Sequence, residues 1–348
     1  MRKKRVVSLD VVRLFACICI TIVHFNAQIS GFDGTQFVYQ NSITPNHFIE
    51  NRLYLGGIGV SLFFMLTGST LMMTYKEGNL RNYYIKRFLN IFPMFYVAYI
   101  AATVVDFFVY KSVGYADLRL LCFSLLGLDG YLASLGWIPF DFYKIGEWFL
   151  GCLLLLYAIF PLLHFGLKRN IALTCVCVIA IYLGYSQFAF RLGWNYTDKA
   201  IVLKFPEILL GMLFVKYNLR EKPKTLLGIT VTTAIVAYLL RNSISNTTFT
   251  TAMCMLLFAV LVIIGEQIKN ERVSELLAKI AGLTYPVFLV HHWLILKLIR
   301  GFDLAYMRRR NICFMFIVYI GLTLFLAYVL NRFTDKMMRR IRNSQNQK

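Results

Sequence analysis

Three ionisable residues, Asp10, Arg13 and His24, lie within an otherwise apolar stretch near the start of the sequence, LDVVRLFACICITIVHF. Ionisable side chains are costly to bury in a bilayer, and within a spanning segment they usually line a functional pathway. A helix rotates by about 100° per residue, so all three fall on one narrow face. The other polar residues of that face are Cys17, Thr21 and Gln28. The pattern predicts a spanning helix that turns one polar stripe towards the protein interior.

A second stretch, LTYPVFLVHHWLILKLI, carries His291 and His292. His24 lies about 25 Å along its helix from the cytoplasmic end, and His291 is also expected beyond the membrane midplane. Imidazole titrates near neutral pH and is the commonest general acid or base in enzymes. Two helices that bring imidazole to similar depth predict a proton-transfer site, with His24 and His291 as catalytic residues. The alternative is a structural Asp10–Arg13 pair near the interface and a satisfied core histidine.

The composition indicates which elements position these residues. The 348-residue chain is 58% hydrophobic and 16% charged, with a mean hydropathy of +0.61. Several apolar runs of about twenty residues are separated by short polar loops, which is typical of membrane-spanning helices. We therefore expect an all-α, polytopic integral membrane protein that forms a single domain over residues 1–348. Ten spans are predicted, at about 7–29, 56–75, 91–110, 146–167, 171–189, 201–217, 225–240, 249–265, 280–299 and 312–331.

Charge distribution supports this topology. The segment 111–145 is predicted to be extracytoplasmic or re-entrant, because its apolar piece LRLLCFSLLGLDG is too short to cross the bilayer and contains Gly and Asp. With ten spans and both termini cytoplasmic, 23 of the 37 Lys and Arg residues lie inside and 13 outside. An eleventh crossing would distribute the Lys and Arg residues evenly between the two sides.

The net charge of +20 is explained by this topology and by attraction to anionic lipid, and no nucleic-acid-binding signature accompanies it. The eight cysteines include no CxxC pair, and no metal site is expected.

Several motifs in order along the chain resemble those of the acyltransferase-3 family, the bacterial membrane acyltransferases that modify surface polysaccharides and lipid-linked glycans. The family signature opens with Leu-Asp-x-x-Arg and places a His after ten further residues, as Leu9, Asp10, Arg13 and His24 do here. The stretch YPVFLVHHWLI is similar to the family pattern Y-x-x-Y-L-x-H and puts His291 on the family histidine. Further similar stretches are GVSLFFMLTGSTLM, YYIKRFLNIFPMFY, WFLGCLLLLYAIFPLL and FPEILLGMLF.

The chain departs from the family pattern at two positions. Asn90 follows the basic residues where the family commonly carries a further Arg. Leu153 stands five residues after Trp148, where the family often carries Glu, and Glu147 is the nearest carboxylate. These departures concern which acceptor the protein uses.

The resemblance implies a cytoplasmic acyl-CoA donor, most often acetyl-CoA, and an acceptor hydroxyl on a surface polysaccharide or lipid-linked glycan. No bound cofactor is implied. Arg13, Lys86 and Arg87 are then expected to hold the nucleotide end of the donor at the cytoplasmic mouth, since guanidinium and ammonium groups bind phosphate. Ordinary positive-inside charge is the alternative for Lys86 and Arg87.

The resemblance also implies roles for the residues that lie deeper in the membrane than Arg13. His24 either accepts the proton of the attacking hydroxyl or carries the acyl group itself, and His291 orients the acceptor or stabilises the oxyanion. Asp10 is expected to fix Arg13. Glu147 and Trp148 are candidate sugar contacts, although an interfacial anchor is an equally good interpretation of Trp148.

Two other classes of function fit the sequence. A transporter or flippase for a glycan-related substrate also uses ionisable groups within the membrane. A non-catalytic subunit of a polysaccharide synthesis complex is the third. The acyl group could be acetyl or succinyl, and the expected location is a bacterial inner or plasma membrane.

Overall fold

We describe a computed structural model of the chain that covers residues 6–31, 41–111, 118–139, 145, 147–188 and 198–345. The structure is 82% helical with almost no sheet, so the predicted all-α class is confirmed. A two-stranded antiparallel hairpin, β1 (His47–Phe48) and β2 (Leu53–Tyr54), lies between the first two helices.

The α-helices of the described ranges follow in chain order: α1 Val7–Ile29, α2 Leu55–Thr74, α3 Leu80–Tyr110, α4 Leu121–Leu125, α5 Asp129–Ser134, α6 Glu147–Arg169, α7 Ile171–Phe188, α8 Phe205–Lys216, α9 Pro223–Leu239, α10 Asn246–Glu266, α11 Glu271–Ala281, α12 Thr284–Leu298 and α13 Arg309–Gln345. Short 3-10 turns precede α4 and α8 and follow α8 and α12.

A helix occupies each of the ten predicted positions, but their lengths differ. Within the described residues, six helices are long and apolar enough to cross a membrane: α1, α2, α3, α6, α10 and α13. Helices α11 and α12 form a seventh candidate as one span bent by 48°. The apolar helices α7 and α9 are shorter, and α8 has only 12 residues. The described part of the chain therefore contains about six or seven helices that can span a membrane, while the count of ten and the cytoplasmic termini stay predictions.

Two helices, α3 and α13, extend far beyond the predicted apolar limits. Helix α3 begins at Leu80 rather than at 91, where the side chain of Asn79 caps it by accepting from the Asn82 N–H at 2.9 Å. Helix α13 runs on to Gln345 rather than ending at 331. Lys and Arg are good helix formers, so a helix continues into a polar stretch that a hydropathy count leaves out. Helix α11 is amphipathic and precedes the predicted span at 280–299.

Helix α1 lies at the centre of the packing that forms the site. It packs against α2, α10, α11 and α12. Helices α2 and α8 approach each other so closely that a Cβ added at Gly211 would lie 2.0 Å from the carbonyl oxygen of Met65. A Cβ added at Gly68 would lie 2.1 Å from the carbonyl oxygen of Ile208. Only glycine fits at these two contacts.

The predicted extracytoplasmic segment at 111–145 forms short helices where the structure describes it, namely α4 and α5. Ser124 donates to the Asp129 carboxylate at 2.5 Å, and both residues are buried. The hydroxyl of Tyr131 accepts from the backbone N–H of Ile201 at 2.9 Å. Residues 112–117 and 140–144 lie outside the described part, and whether the segment is extracytoplasmic stays a prediction.

Candidate active site

The polar stripe of α1 carries two of the predicted functional residues at different depths. The side chains of Arg13 and His24 are 25% and 23% exposed, so each reaches an accessible space. They are separated by eleven residues, or about 16 Å along the helix. The stripe therefore connects two separate groups of side chains, one around each residue.

Glu147 is the centre of the group around His24, which we call the outer cluster (His24, Glu147, His291 and His292). The Oε2 atom of Glu147 lies 3.1 Å from His24 Nε2, and its Oε1 atom lies 2.9 Å from His292 Nδ1. His291 Nε2 lies 3.8 Å from the same Oε1 atom. The His24 ring centroid is 5.1 Å from that of His291 and 4.6 Å from that of His292. The Glu147 carboxylate of α6 thus lies next to one imidazole from α1 and two from α12.

The backbone fixes Glu147 in an unusual conformation at the start of α6. Its φ of +42° lies in the left-handed region, which non-glycine residues rarely adopt and which often marks functional sites. The short helix α5 packs against it, since a Cβ added at Gly130 would lie 3.0 Å from the Glu147 carbonyl carbon. The side chain of Glu147 is only 8% exposed. Helix α5 therefore packs against the backbone of Glu147 at the start of α6.

The hydrogen-bond partners of the three histidines indicate where each ring proton lies. His291 Nδ1 is 3.1 Å from the Val287 carbonyl oxygen and 2.9 Å from that of Phe288. Carbonyl oxygens only accept, so Nδ1 carries the proton and Nε2 of the neutral ring is bare. This Nε2 is fully buried and has no hydrogen-bond partner. It is an acceptor that faces the outer cluster.

The same reasoning applies to His292 and His24. The amide nitrogen of Gln28 lies 3.3 Å from His292 Nε2 and can only donate, so the proton of His292 is on Nδ1 and faces Glu147. An ionised carboxylate only accepts, so the proton of His24 is on Nε2. His24 Nδ1 is then the basic nitrogen. A buried carboxylate that holds an imidazole in one tautomer is the arrangement that makes histidine an effective general base in other enzymes.

The group around Arg13 consists of Arg13, Arg87 and Tyr157, and we call it the cytoplasmic group after the side of the membrane on which it is predicted to lie. Arg13 Nη1 donates to the buried Asp10 carboxylate at 2.7 Å. The Arg87 guanidinium lies 5.7 Å from the centroid of the Tyr157 ring. Tyr157 follows Glu147 by ten residues on α6, much as Arg13 precedes His24 on α1, so two oppositely directed helices bring both groups together at matching depths.

Of the predicted site residues, the structure brings His24, His291 and Glu147 together in the outer cluster. Arg87 lies against Tyr157, and Asp10 pairs with Arg13, as expected for a residue that fixes it. Lys86 is exposed on α3. Trp148 is partly buried in an apolar cluster of α2, α6 and α8, next to Phe149. The catalytic and binding roles of all eight residues stay predictions.

Three participants were not predicted as site residues: His292, Gln28 and Tyr157. Gln28 was part of the predicted stripe and His292 follows His291 in the sequence, but nothing in the spacing indicated that His292 contacts Glu147 or that Gln28 contacts His292. Asn26, which lies on the opposite face of α1, is also buried. It accepts from the Ile43 N–H at 2.9 Å and donates to the Thr44 carbonyl oxygen at 3.0 Å, which fixes the loop that follows α1.

The donor atoms of His24, Glu147 and His291 lie within 4.8 Å of one another, close enough to share a metal ion. His24 and His292 also lie at normal hydrogen-bonding distance from the carboxylate. The same atoms therefore fit a hydrogen-bonded network of neutral imidazoles around Glu147.

Comparison with known proteins gives the family. A search of curated proteins found no match, and a search of solved structures found none either. The family profile described as an acyltransferase domain, that of the acyltransferase-3 family, matches residues 6–332. This match spans nearly the whole chain, from the start of α1 into α13, and includes both groups of the polar stripe. The chain therefore belongs to the acyltransferase-3 family of membrane acyltransferases.

Proposed function

We propose that this membrane acyltransferase transfers an acetyl group from cytoplasmic acetyl-CoA to a hydroxyl of a cell-surface polysaccharide or lipid-linked glycan. The observation that carries the proposal is the contact of His24 Nε2 with the buried Glu147 carboxylate at 3.1 Å, which leaves His24 Nδ1 as a base. A sugar hydroxyl is a weak nucleophile that needs such a base. The expected location is the inner or plasma membrane of a bacterium.

The two groups of the stripe suit the two ends of an acyl-CoA. The nucleotide end carries phosphates, which guanidinium groups bind well. The reactive thioester is at the far end of a long, flexible pantetheine arm. Arg13 and Arg87 would bind the donor near the cytoplasm, and the arm would extend along α1 to His24, about 16 Å deeper. Such a path lets a cytoplasmic donor meet an acceptor from the other side of the membrane.

The transfer step follows from the tautomers. His24 Nδ1 takes the proton of the acceptor hydroxyl, and the oxygen attacks the thioester carbon to give a tetrahedral oxyanion. When the oxyanion collapses, the C–S bond breaks, and the proton of the imidazolium passes to the leaving thiolate to give free CoA. Glu147 stabilises the transient positive charge of His24. A relay in which His24 itself carries the acetyl group is the alternative path.

In this scheme His291 cannot have one of its two expected roles, the stabilisation of the oxyanion. With its proton bonded to backbone carbonyls, its bare Nε2 accepts a hydrogen bond and cannot donate one to an oxyanion. We therefore assign His291 to orienting the acceptor through a hydrogen bond from a second hydroxyl, since the proton of the attacking hydroxyl goes to His24 Nδ1. Glu147 is occupied by His24 and His292, so we regard it as a positioning residue rather than a sugar contact.

The test is acetyl transfer from radiolabelled acetyl-CoA in membranes that contain the wild type or His24→Ala at matched expression. We expect label in the surface glycan with the wild type only. His164→Ala is the control, because His164 lies on α6 against Tyr75, far along that helix from Glu147. Equal labelling by the wild type and His24→Ala would contradict the assigned base.

A second donor separates the remaining alternatives. Labelling from succinyl-CoA but not from acetyl-CoA would keep the enzyme class and change the acyl group. If neither donor labels a glycan or lipid, while a glycan precursor crosses the membrane only when the protein is present, the transporter reading replaces this proposal.

A further inference from the structure

A polar groove lies between α3 and α13, away from the outer cluster, with a volume of about 260 Å³. We call it the α3–α13 groove. It is lined on one side by α3 residues around Asn90 and Pro93, and on the other by α13 residues from Thr334 to Arg342. Its α13 side lies beyond residue 332, where the match to the family profile ends. In the predicted topology this end of α13 is cytoplasmic, and Asn90 is one helical turn from Arg87.

The groove carries two cations and one buried hydroxyl that has no hydrogen-bond partner. Arg339 and Arg342 line it with exposed side chains. The hydroxyl of Thr334 lies in a residue that is only 5% exposed and has no hydrogen-bond partner. Pro93, within α3, has no backbone N–H to bond the carbonyl of Leu89 four residues earlier. A buried polar group without a partner is costly, so it often marks a site that a ligand completes.

These groups favour one class of ligand. The guanidinium groups of Arg339 and Arg342 suit phosphate. The acceptors, a carbonyl at Leu89 and the carboxylate of Asp335, suit an amine donor. The side chains of Met338 and Pro93 offer apolar surface for a flat ring. A phosphate, an amine and a flat ring occur together in an adenine nucleotide.

We propose that the α3–α13 groove binds the adenosine 3′-phosphate end of acyl-CoA. This inference rests on the proposed function, since it concerns the same donor. The phosphate lies against Arg339 and Arg342, and the adenine amine donates to Leu89 or Asp335. The pyrophosphate and the pantetheine arm then lead past Arg87 towards Arg13. The C-terminal extension of α13 is thus a nucleotide-binding element.

Binding to the purified protein in neutral phosphatidylcholine vesicles tests this directly. We expect the wild type to bind coenzyme A about tenfold more tightly than dephospho-coenzyme A, which lacks the 3′-phosphate. The double variant Arg339→Gln/Arg342→Gln should remove most of this difference. Arg340→Gln is the matched control, because Arg340 lines a neighbouring surface and not this groove. Thr334→Val tests the groove without a change in charge and should weaken the binding of both nucleotides.

Kinetics give an independent readout. In the double variant, KM for acetyl-CoA should rise about tenfold with little change in kcat, while KM for acetyl-pantetheine, which lacks the nucleotide, should not change. An equal rise for both donors would contradict the inference. So would an effect of the double variant that appears only when cardiolipin or phosphatidylglycerol is added, because the groove would then be a lipid site.

Failure of this inference can be told apart from failure of the proposed donor. If the wild type binds coenzyme A and the arginine variants bind it equally well, the groove assignment is wrong and the donor stands. If the wild type binds neither nucleotide, the acyl-CoA donor itself is wrong.

Discussion

The outer cluster and the cytoplasmic group both use α1 and α6, with α12 added in the first and α3 in the second, but their environments differ. In the outer cluster, the central Glu147 and His291 are 8% and 1% exposed, whereas His24 and His292 beside the carboxylate are 23% and 21% exposed. In the cytoplasmic group, Arg13 is 25% exposed and Arg87 is partly exposed. Burial strengthens electrostatic interactions and fixes their geometry, whereas exposed charges are screened by water and salt.

This difference separates two tasks that a membrane acyltransferase must perform. Chemistry gains from preorganised groups in a dry site, because such groups need no rearrangement as charge develops. Capture of a soluble, highly charged donor instead needs cations that water can reach. We therefore expect substitutions in the outer cluster to lower kcat and substitutions in the cytoplasmic group to raise KM.

The largest effect is expected for Glu147→Gln. The amide keeps the shape of the side chain, but one carboxylate oxygen becomes a donor, so His24 or His292 loses its acceptor. Removal of a carboxylate that holds a catalytic imidazole lowers kcat by about 10³- to 10⁴-fold in comparable enzymes. Acetyl transfer by matched amounts of protein gives the measurement.

Glu207→Gln is the control for burial of a carboxylate. Glu207 is fully buried on α8 and accepts from Ser61 at 2.5 Å and from Thr251 at 3.1 Å, outside the outer cluster. Its amide oxygen can keep both bonds, so kcat should stay within a few-fold of wild type. Equal losses in the two variants would mean that Glu147 acts only in folding.

The sequence was sufficient to predict the all-α membrane fold and the polar stripe of α1, because both depend on local pattern. Long apolar runs determine the helices, and a rotation of about 100° per residue places Arg13 and His24 on one face. The depths of His24 and His291 follow from the same geometry. Their proximity across two helices was a reasonable prediction for that reason.

The role of Glu147 could not be predicted in this way. Its position depends on a left-handed backbone and on α5, which packs from a segment whose pattern was ambiguous. Leu153, at the position where the family often carries Glu, gave no carboxylate to consider within the helix. The contact between His292 and Gln28 likewise depends on how α12 rotates against α1, which is a tertiary property. Helix ends were missed where Lys and Arg continue α13 beyond the apolar run.

The second-largest effect is expected for His292, whose Nδ1 lies 2.9 Å from the Oε1 atom of Glu147. His292→Ala should lower kcat about 10- to 100-fold, the value of one lost hydrogen bond to a charged group. His292→Asn should recover most of this loss, because the Asn amide nitrogen occupies the place of Nδ1. The recovery is measured as kcat for acetyl transfer. If Asn is no better than Ala, His292 serves packing and does not position the carboxylate.

A smaller effect, and on a different parameter, is expected for Arg87→Gln. The guanidinium contacts Tyr157, Tyr83 and Thr74 at the cytoplasmic end of the stripe. Without it, KM for acetyl-CoA should rise about five- to tenfold, and kcat should change little. The rise should shrink at high salt, since salt screens exposed charges. A lower kcat with an unchanged KM would contradict the assignment of catalysis to the outer cluster and of donor binding to the cytoplasmic group.

Lys86→Gln should have the smallest effect, although it removes a charge from the residue next to Arg87. Lys86 is exposed on α3, and the two side chains leave the helix about 100° apart, so only Arg87 is directed towards Tyr157. We expect KM for acetyl-CoA to stay within twofold of the wild type under the conditions used for Arg87→Gln. If Lys86→Gln raises KM as much as Arg87→Gln does, the donor is attracted by general positive charge at this surface. The contact of Arg87 with Tyr157 would then be a packing feature, and the binding role would belong to the whole basic face rather than to the polar stripe.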